Sequence, residues 1–139
     1  MLVYHKEKES IKAIMPIVQK YGGVLVGLCL DEEGIPPTAE QRFEIAKKIR
    51  DRASEYGIKP KNLVMDALTL TISAQQKESA ETIKALKMIK DQLGICTTLG
   101  VSNISFGLPR REIVNGTFFA LALNNGLDAC IINVCRFND

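Results

Sequence analysis

The chain has 139 residues, of which 46% are hydrophobic and 24% are charged, and its formal charges sum to +2. This composition is typical of a single folded domain over residues 1–139 and excludes a disordered or fibrous chain. So small a net charge offers no electrostatic surface for nucleic acid or for an acidic membrane. The sequence has neither the apolar start of a signal peptide nor the ~20-residue apolar run of a membrane helix, so we expect a cytoplasmic protein.

An amphipathic helix is predicted before each of four apolar, β-branched strands. The helices are predicted at residues 10–21, 38–56, 79–92 and 110–125, and the strands at 24–31, 63–72, 95–102 and 128–134. The second helix opens with Thr38 and Gln41 at capping-box spacing, and a glycine follows each helix where a helix commonly ends. The strands are almost continuously apolar, which is typical of parallel strands covered on both faces.

The spacing of the predicted strands indicates a repeated helix–strand unit, because they begin 39, 32 and 33 residues apart. Such a repeat predicts a parallel α/β sheet with right-handed crossovers. Two architectures fit this pattern, a doubly wound open sheet and a (βα) barrel. A complete eight-stranded barrel needs at least ~200 residues, so this chain can supply only half of one.

The four cysteines are Cys29, Cys96, Cys130 and Cys135, and they form no CxxC pair. With a single histidine in the chain, the set lacks the ligand spacing of a zinc site, so we expect no bound metal. The first three lie inside apolar runs, where a reduced thiol behaves as a small hydrophobic residue.

Polar residues at the carboxyl ends of the strands are the candidates for chemistry, because parallel α/β folds place their sites there. Asp66 lies in an apolar run, and a carboxylate is costly to bury unless a group donates to it. Either backbone amides or a basic neighbour satisfy it, or it accepts a ligand's N–H groups. Residues 31–33 (Asp-Glu-Glu) are instead interpreted as a solvated turn before Gly34.

The exit of the third strand carries the densest set of polar residues. Gly100 allows close approach of the backbone to a ligand, and Ser102 and Asn103 can form hydrogen bonds. Arg111 lies at a helix start, which disfavours a cation unless an anion or a polar ligand is near. Two further interpretations stay open: Asn103 caps or turns the chain while the arginine is solvated, or the loop binds a phosphate.

Residues 99–115 (LGVSNISFGLPRREIVN) resemble the signature of the pterin-binding methyltransferases. That family includes methyltetrahydrofolate:corrinoid methyltransferases and the folate-binding module of cobalamin-dependent methionine synthase. Residues 21–36, 56–68 and 126–131 are similar to the family's fifth, sixth and eighth strands. The resemblance implies an α/β fold, a parallel half-barrel that corresponds to strands 5–8 of a TIM-type (βα)8 barrel, with no counterpart of the first four strands.

The resemblance also implies a site and a reaction. Asp66 corresponds to the aspartate that accepts hydrogen bonds from the pterin ring, and Asn103 to the catalytic asparagine beside the methylated nitrogen. Arg111 corresponds to an arginine of the same pocket, and Gly100 and Ser102 to its wall. The implied reaction moves a methyl group from 5-methyltetrahydrofolate to the cobalt of a corrinoid carried by a partner protein.

Two other functions fit the pattern, a half-barrel without catalysis that acts as an assembly unit and an α/β domain that binds a phosphate ligand. Four parallel strands also leave two unpaired edges and one uncovered face, and the last helix is apolar around much of its circumference. An exposed apolar surface of this kind rarely persists on a monomer. We therefore expect a homodimer in which two half-barrels cover one another.

Overall fold

A computed structural model of the chain describes the backbone of residues 2–4 and 7–133 and the side chains of residues 12–133. The strands are β1 (Leu2–Tyr4), β2 (Leu25–Leu28), β3 (Leu63–Asp66), β4 (Cys96–Gly100) and β5 (Ala129–Ile131). The helices are α1 (Glu7–Tyr21), α2 (Ala39–Glu55), α3 (Gln76–Met88) and α4 (Arg111–Asn124). Cys135 and the end of the last predicted strand lie outside the described residues.

The strands form one parallel sheet in the order β1-β2-β3-β4-β5, which is also their order in the chain. A doubly wound sheet reverses its strand order at a switch point, and this sheet does not. Sequential strands joined by right-handed crossovers place the helices on one face, as in a (βα) barrel. The α/β half-barrel is therefore confirmed and the doubly wound alternative is wrong.

The sheet has one strand more than the sequence analysis expected. β1 pairs in parallel with β2, with Leu2 opposite Leu25 and Tyr4 opposite Gly27. It lies beside β2, on the side away from β3, and the sequence analysis did not predict it. Three residues are too few for hydrophobic periodicity to reveal a strand.

The helix ends follow their local sequence signals closely. Thr38 caps α2, since its Oγ1 accepts a hydrogen bond from the amide of Gln41 at 3.3 Å and donates to Gln41 Oε1 at 3.0 Å. Gly94 and Gly126 follow the third and fourth helical segments with φ of 62° and 97°, a conformation that favours glycine. The third segment continues from α3 as a π-helical turn over Ile89–Leu93. No helix in the described ranges is both long and apolar enough to cross a membrane.

The two faces of the sheet differ in what covers them. Gly27 faces α2, because a Cβ built there would lie 2.9 Å from Cγ2 of Ile49. Side chains alternate along a strand, so Leu28 and its register neighbour Asp66 lie on the opposite face, and both are only partly buried. Among the described residues no helix covers this second face, which we call the open face. The continuous hydrophobicity of the strands therefore does not mean that both faces are covered here.

The cysteine expectations have mixed outcomes. Cys29 is buried in the core, and burial, followed by the nearby charge of Asp66, raises the pKa of its thiol. Cys130 is half-buried, whereas Cys96 is exposed. The expectation for Cys96 is wrong because this residue lies opposite Val64 in the register, on the open face of the sheet.

Candidate functional site at the carboxyl ends of β3 and β4

Asp66 is the last residue of β3, and its carboxylate lies at the end of the open face. Asp66 Oδ1 accepts a hydrogen bond from the amide of Leu68 at 2.8 Å. Leu68 has a left-handed backbone with φ of 63°, so the chain turns here and β3 ends before the predicted strand does. Asp66 Oδ2 has no hydrogen-bond partner in the described part of the chain. One carboxylate oxygen is thus held by the fold and the other is available to a ligand.

Burial controls the ionisation of this carboxyl group. It raises the pKa of Asp66 from 3.8 to about 6, while the hydrogen bond from the Leu68 amide acts in the opposite direction. Carboxyl groups with raised pKa values cluster at functional sites, although structural networks also produce them. At neutral pH the group is ionised and accepts hydrogen bonds from N–H donors.

Gly100 and Asn103 are packed closely together at the end of β4. A Cβ built on Gly100 would lie 2.9 Å from Nδ2 of Asn103, so the side-chain amide of Asn103 occupies the space that any larger residue would fill. Asn103 is exposed, and its side-chain amide forms no hydrogen bond to the described residues. The register places Gly100 two residues beyond Thr98, which pairs with Asp66. A free amide and a free carboxylate oxygen therefore extend from adjacent strands at one end of the sheet.

The loops after β3 and β4 are hydrogen-bonded to each other. The amide of Ile72 donates to the carbonyl of Ile104 at 3.0 Å. Thr71 Oγ1 and Ser73 Oγ both donate to the carbonyl of Phe106, at 2.9 and 3.0 Å. These bonds hold the loop after Asp66 against the loop that carries Asn103, so the two candidate residues belong to one structural unit.

Arg111 braces the loop after β4 from the start of α4. Its Nε donates to Ser105 Oγ at 2.9 Å, and its Nη2 donates to the carbonyl of Ser102 at 2.8 Å. Ser102 Oγ in turn accepts a hydrogen bond from the amide of Asn133, just after β5, at 3.2 Å. The half-buried guanidinium is therefore not a solvated arginine. Ser102 joins the ends of β4 and β5.

Two polar groups lie apart from these loop contacts. The turn at Asp31 is closed by mutual backbone hydrogen bonds with Gly34, and residues 31–33 are exposed, which confirms the interpretation as a solvated turn. Arg110 is exposed, with a left-handed φ of 50°. Within the described residues no group of three His, Cys, Asp or Glu side chains could hold a metal ion.

Sequence reasoning missed three residues that support the site, Thr71, Ser73 and Arg42. The hydroxyl residues give no signal, because they lie in what was expected to be a strand and its exit. Arg42 did give one. It lies four residues before Ala46 and seven before Ile49, on the buried stripe of α2, and its side chain is fully buried. A charged residue at an inward helical position indicates a specific buried partner.

Comparisons with known proteins identify the family of this chain. Residues 7–133 match the family described as pterin binding enzyme. The chain is 37% identical over 130 residues to a methionine synthase of Mycobacterium tuberculosis (strain ATCC 25618 / H37Rv), covering 88% of this chain and 11% of that protein. The methionine synthase of Mycobacterium leprae (strain TN) is 36% identical over the same length, with the same coverage. A methylcorrinoid:tetrahydrofolate methyltransferase of Eubacterium limosum is 31% identical over 113 residues, covering 78% of this chain and 41% of that protein.

The chain thus spans 11% of the length of each methionine synthase and 41% of the methyltransferase. The family match itself extends across every described helix and from β2 to β5. Its region includes Asp66, Gly100, Ser102, Asn103 and Arg111. This chain belongs to the pterin-binding enzyme family.

Proposed function

We propose that this chain forms half of a folate site and takes part in methyl transfer between 5-methyltetrahydrofolate and the cobalt of a corrinoid protein. The observation that carries the proposal is the pairing of a free Asp66 carboxylate oxygen with the free Asn103 amide at the ends of adjacent strands. Family membership supports pterin as the ligand, and the name of the Eubacterium limosum methyltransferase supports tetrahydrofolate and a corrinoid as the reactants.

Asp66 suits the amino-pyrimidine edge of a pterin, which presents two parallel N–H donors. A carboxylate can accept both, and charge-assisted bonds of this kind are about twice as strong as neutral ones. The hydrogen bond from Leu68 leaves Oδ2 free and leaves a second lone pair on Oδ1. In this proposal Asp66 orients the ring through its ionised form.

Asn103 is the proposed catalytic residue. Cleavage of the carbon–nitrogen bond leaves an electron pair on the ring nitrogen, which requires a proton or a hydrogen bond there. The Asn103 amide oxygen can hold that proton on the nitrogen, and a preorganised group of this type favours the transition state. Gly100 supports this role because the amide packs directly on it.

Ser102 and Arg111 complete the proposed binding wall. Their mutual contact holds the loop that carries Asn103 between β4 and β5. We propose that they shape the pocket, with Arg111 acting mainly through this loop.

The carrier protein would bring its corrinoid to the carboxyl ends of the strands. When bound there, the corrinoid supplies the cobalt that gives or accepts the methyl group. The name of the Eubacterium limosum relative places the methyl group on the corrinoid at the start, so the same site can serve either direction. We place this protein in the cytoplasm, where free thiols such as those of Cys29, Cys96 and Cys130 stay reduced. We also propose that the chain is a homodimer.

A titration followed by NMR tests the proposal, because this method also detects weak binding. Isotope-labelled chain is titrated with 5-methyltetrahydrofolate and, separately, with ribose 5-phosphate. We expect folate alone to shift the backbone amide of Leu68 and the side-chain amide of Asn103. Shifts caused by the sugar phosphate and not by folate would instead identify a phosphate site.

A second assay separates catalysis from assembly. The chain is completed with the first barrel strands of a relative, and methyl transfer from 5-methyltetrahydrofolate to cob(I)alamin is measured. We expect transfer that depends on Asn103. A completed barrel that binds folate but transfers no methyl group would favour the non-catalytic assembly unit.

A further inference from the structure

Arg42 is a fully buried arginine in α2 that no part of the proposed mechanism uses. Its Nε donates to the carbonyl of Pro36 at 2.8 Å, and its Nη2 lies 3.3 Å from Oε2 of Glu78. Its Nη1 donates to Thr82 Oγ1 at 2.8 Å. Burial lowers the pKa of the guanidinium, and the charge of Glu78 opposes that effect. The group is therefore a charged centre held by several partners in the interior.

The same Nη1 reaches the loop that follows Asp66. The carbonyls of Ala67 and Leu68 lie 3.2 and 3.1 Å from it, and since Nη1 has only two hydrogens for these oxygens and Thr82 Oγ1, one hydrogen is shared between two acceptors. Thr82 Oγ1 lies 3.1 Å from the Leu68 carbonyl and 3.0 Å from the Glu78 carbonyl, and its single hydrogen is within reach of both. The carbonyls of the first two residues after Asp66 are thus bonded to the guanidinium of Arg42, in α2.

Leu68 needs such fixing because its φ of 63° is unfavourable for a residue with a side chain. In this conformation its carbonyl accepts from Arg42, while its amide donates to Asp66 Oδ1. One peptide segment therefore connects the buried guanidinium to the candidate binding group. If the segment relaxed to an ordinary backbone conformation, the Leu68 amide would no longer point at the Asp66 carboxylate and this hydrogen bond would be lost.

We propose that Arg42 is a positioning residue, which holds the Ala67–Leu68 turn in the conformation that aims Asp66 at the ligand. The functional part of this inference rests on the proposed folate site. The planar guanidinium presents five donors in a rigid fork, and here they reach carbonyls of two loops, a hydroxyl and a carboxylate. A lysine keeps the charge but provides no fork, so it cannot make the same set of bonds.

The test follows the Leu68 amide by NMR, first without any ligand. Since this amide donates to the carboxylate of Asp66, its chemical shift should titrate with a midpoint near the Asp66 pKa of about 6. Cys29 does not add a step there, because burial keeps its thiol protonated. In Arg42→Lys we expect the amplitude of this titration to fall at least about twofold, as the charge-assisted contacts to the turn are lost.

The matched control is Arg50→Lys, which changes an arginine of the same helix that is paired only at the surface with Asp51. It should leave the Leu68 titration unchanged. Should Arg42→Lys fail to fold, Thr82→Val removes the hydroxyl that accepts from the guanidinium and lies 3.1 Å from the Leu68 carbonyl, at nearly constant volume. It should reduce the amplitude in the same direction by a smaller factor.

A folded Arg42→Lys chain with an unchanged Leu68 titration would overturn the positioning role, as would a wild-type chain in which Leu68 does not titrate. The folate titration is a separate arm. If wild-type chain shows no folate-dependent shift, the proposed function fails while the ligand-free titration still decides what Arg42 does. If folate binds, we expect Arg42→Lys to weaken its affinity by about tenfold, the effect of one lost hydrogen bond to a charged group.

Discussion

Ionisation of the Asp66 carboxyl group has opposite effects on fold stability and on ligand binding. Its folded-state pKa of about 6 exceeds the ordinary value of 3.8, so the folded chain binds a proton more tightly than the unfolded chain does. Stability from this group is therefore fully present below pH ~4 and is lost as the pH rises towards 6. Ionisation at neutral pH destabilises the fold but creates the hydrogen-bond acceptor that the proposed folate site requires. This is the pattern expected of a binding group rather than of a structural ion pair.

Asp66→Asn should therefore change stability and binding in opposite directions. The asparagine oxygen can still accept from Leu68, and removing the buried charge should stabilise the fold at pH 7.5 by up to about 3 kcal/mol. Folate binding should weaken by about 1–3 kcal/mol, as expected for a lost charge-assisted bond. Urea denaturation at pH 4 and 7.5 and titration with folate measure the two effects.

The surface variant Asp51→Asn is the control, since that carboxylate is exposed and pairs with Arg50. It should change neither quantity appreciably. A variant Asp66→Asn with the same pH dependence of stability as the wild type would show that the carboxyl is not desolvated. Unchanged folate affinity would remove Asp66 from the site.

Gly100 allows Asn103 to be tested without changing Asn103 itself. In Gly100→Ala the new Cβ would lie 2.9 Å from Asn103 Nδ2, so the exposed amide must move. Because that amide is the free end of a side chain, we expect a stability change within about 1 kcal/mol. In the completed barrel, the rate of methyl transfer should fall towards that of Asn103→Ala, about a hundredfold below wild type.

The measurements are kcat and KM for methyl transfer, together with the thermal unfolding of each variant. Asn103→Ala should lower kcat more than it weakens binding. Equal losses in rate and binding would make Asn103 a binding residue only. Full activity of Gly100→Ala beside an impaired Asn103→Ala would show that the close packing on Gly100 is unimportant.

At the scale of elements, local signals predict the helices better than the strands. Thr38 and Gln41 predict the start of α2 because a cap depends on neighbours in sequence. β3 is different, because residues 67–72 remain mostly apolar although the strand ends at Asp66. Ala67 is fully buried in a turn, and hydrophobicity reports burial rather than backbone dihedrals. Leu68 has a positive φ, and its carbonyl lies 3.1 Å from Arg42 Nη1, a contact 26 residues away that no local pattern contains.

In the candidate site, too, the sequence predicts some residues and not others. Asp66, Gly100 and Asn103 were identified from residue type and family resemblance, and the structure places them at one end of adjacent strands. The contacts around them come from Arg42, in α2, and from Thr71, which bonds the loop after β3 to the loop after β4. Such support depends on tertiary geometry, so it follows only from the fold.

The start of β5 is held by a polar cluster that should matter for stability. Asp128 accepts hydrogen bonds from Lys90 Nζ at 2.7 and 2.8 Å and from the Thr97 amide at 2.8 Å. Partial burial acts to raise the pKa of Asp128, but the bonds from Lys90 and Thr97 outweigh it and the pKa lies below its ordinary value. Asp128 therefore stabilises the fold at pH values above its pKa in the unfolded chain. This stabilisation is lost as the pH falls through its pKa in the folded chain.

Asp128→Ala should destabilise the chain by about 1–3 kcal/mol at pH 7, because the Thr97 amide and Lys90 lose their acceptor. The difference from wild type should shrink when urea denaturation is repeated near pH 3. Glu55→Ala, which removes an exposed partner of Arg52 on α2, is the comparison and should cost far less. An undiminished difference at pH 3 would mean that the ionised carboxylate is not the source of the effect.

At the scale of the whole molecule, apolar side chains are exposed both on the open face of the sheet and on α4, where Ile113, Leu121 and Leu123 are exposed. Val64 and Leu28 are only partly buried, and Ile131 on β5 is 64% exposed. In the described residues, β1 and β5 are the outer strands and each pairs on one side only. Unpaired strand edges beside an apolar face favour association with another sheet.

A second copy of this chain would cover that face with an identical one. A two-fold arrangement is closed, so each copy buries the same residues and the assembly does not grow into fibres. Two copies closing edge to edge would bring two sets of Asp66, Asn103 and Arg111 to one end. Ligands from the first half of the family's barrel would still be missing from such a dimer, so we expect its folate affinity to be weak.

Light scattering on purified chain at micromolar concentration measures the assembly, and we expect about twice the chain mass of 15.4 kDa. Ile131→Lys places a charge on the open face and should weaken the dimer at least about tenfold, since burying an isoleucine contributes about 1.5–3 kcal/mol. Leu121→Lys is the matched control, because Leu121 is 52% exposed on α4, in the helix layer. A monomeric wild type would contradict the dimer. A dimer dissociated by Leu121→Lys and not by Ile131→Lys would place the interface on α4, away from the open face.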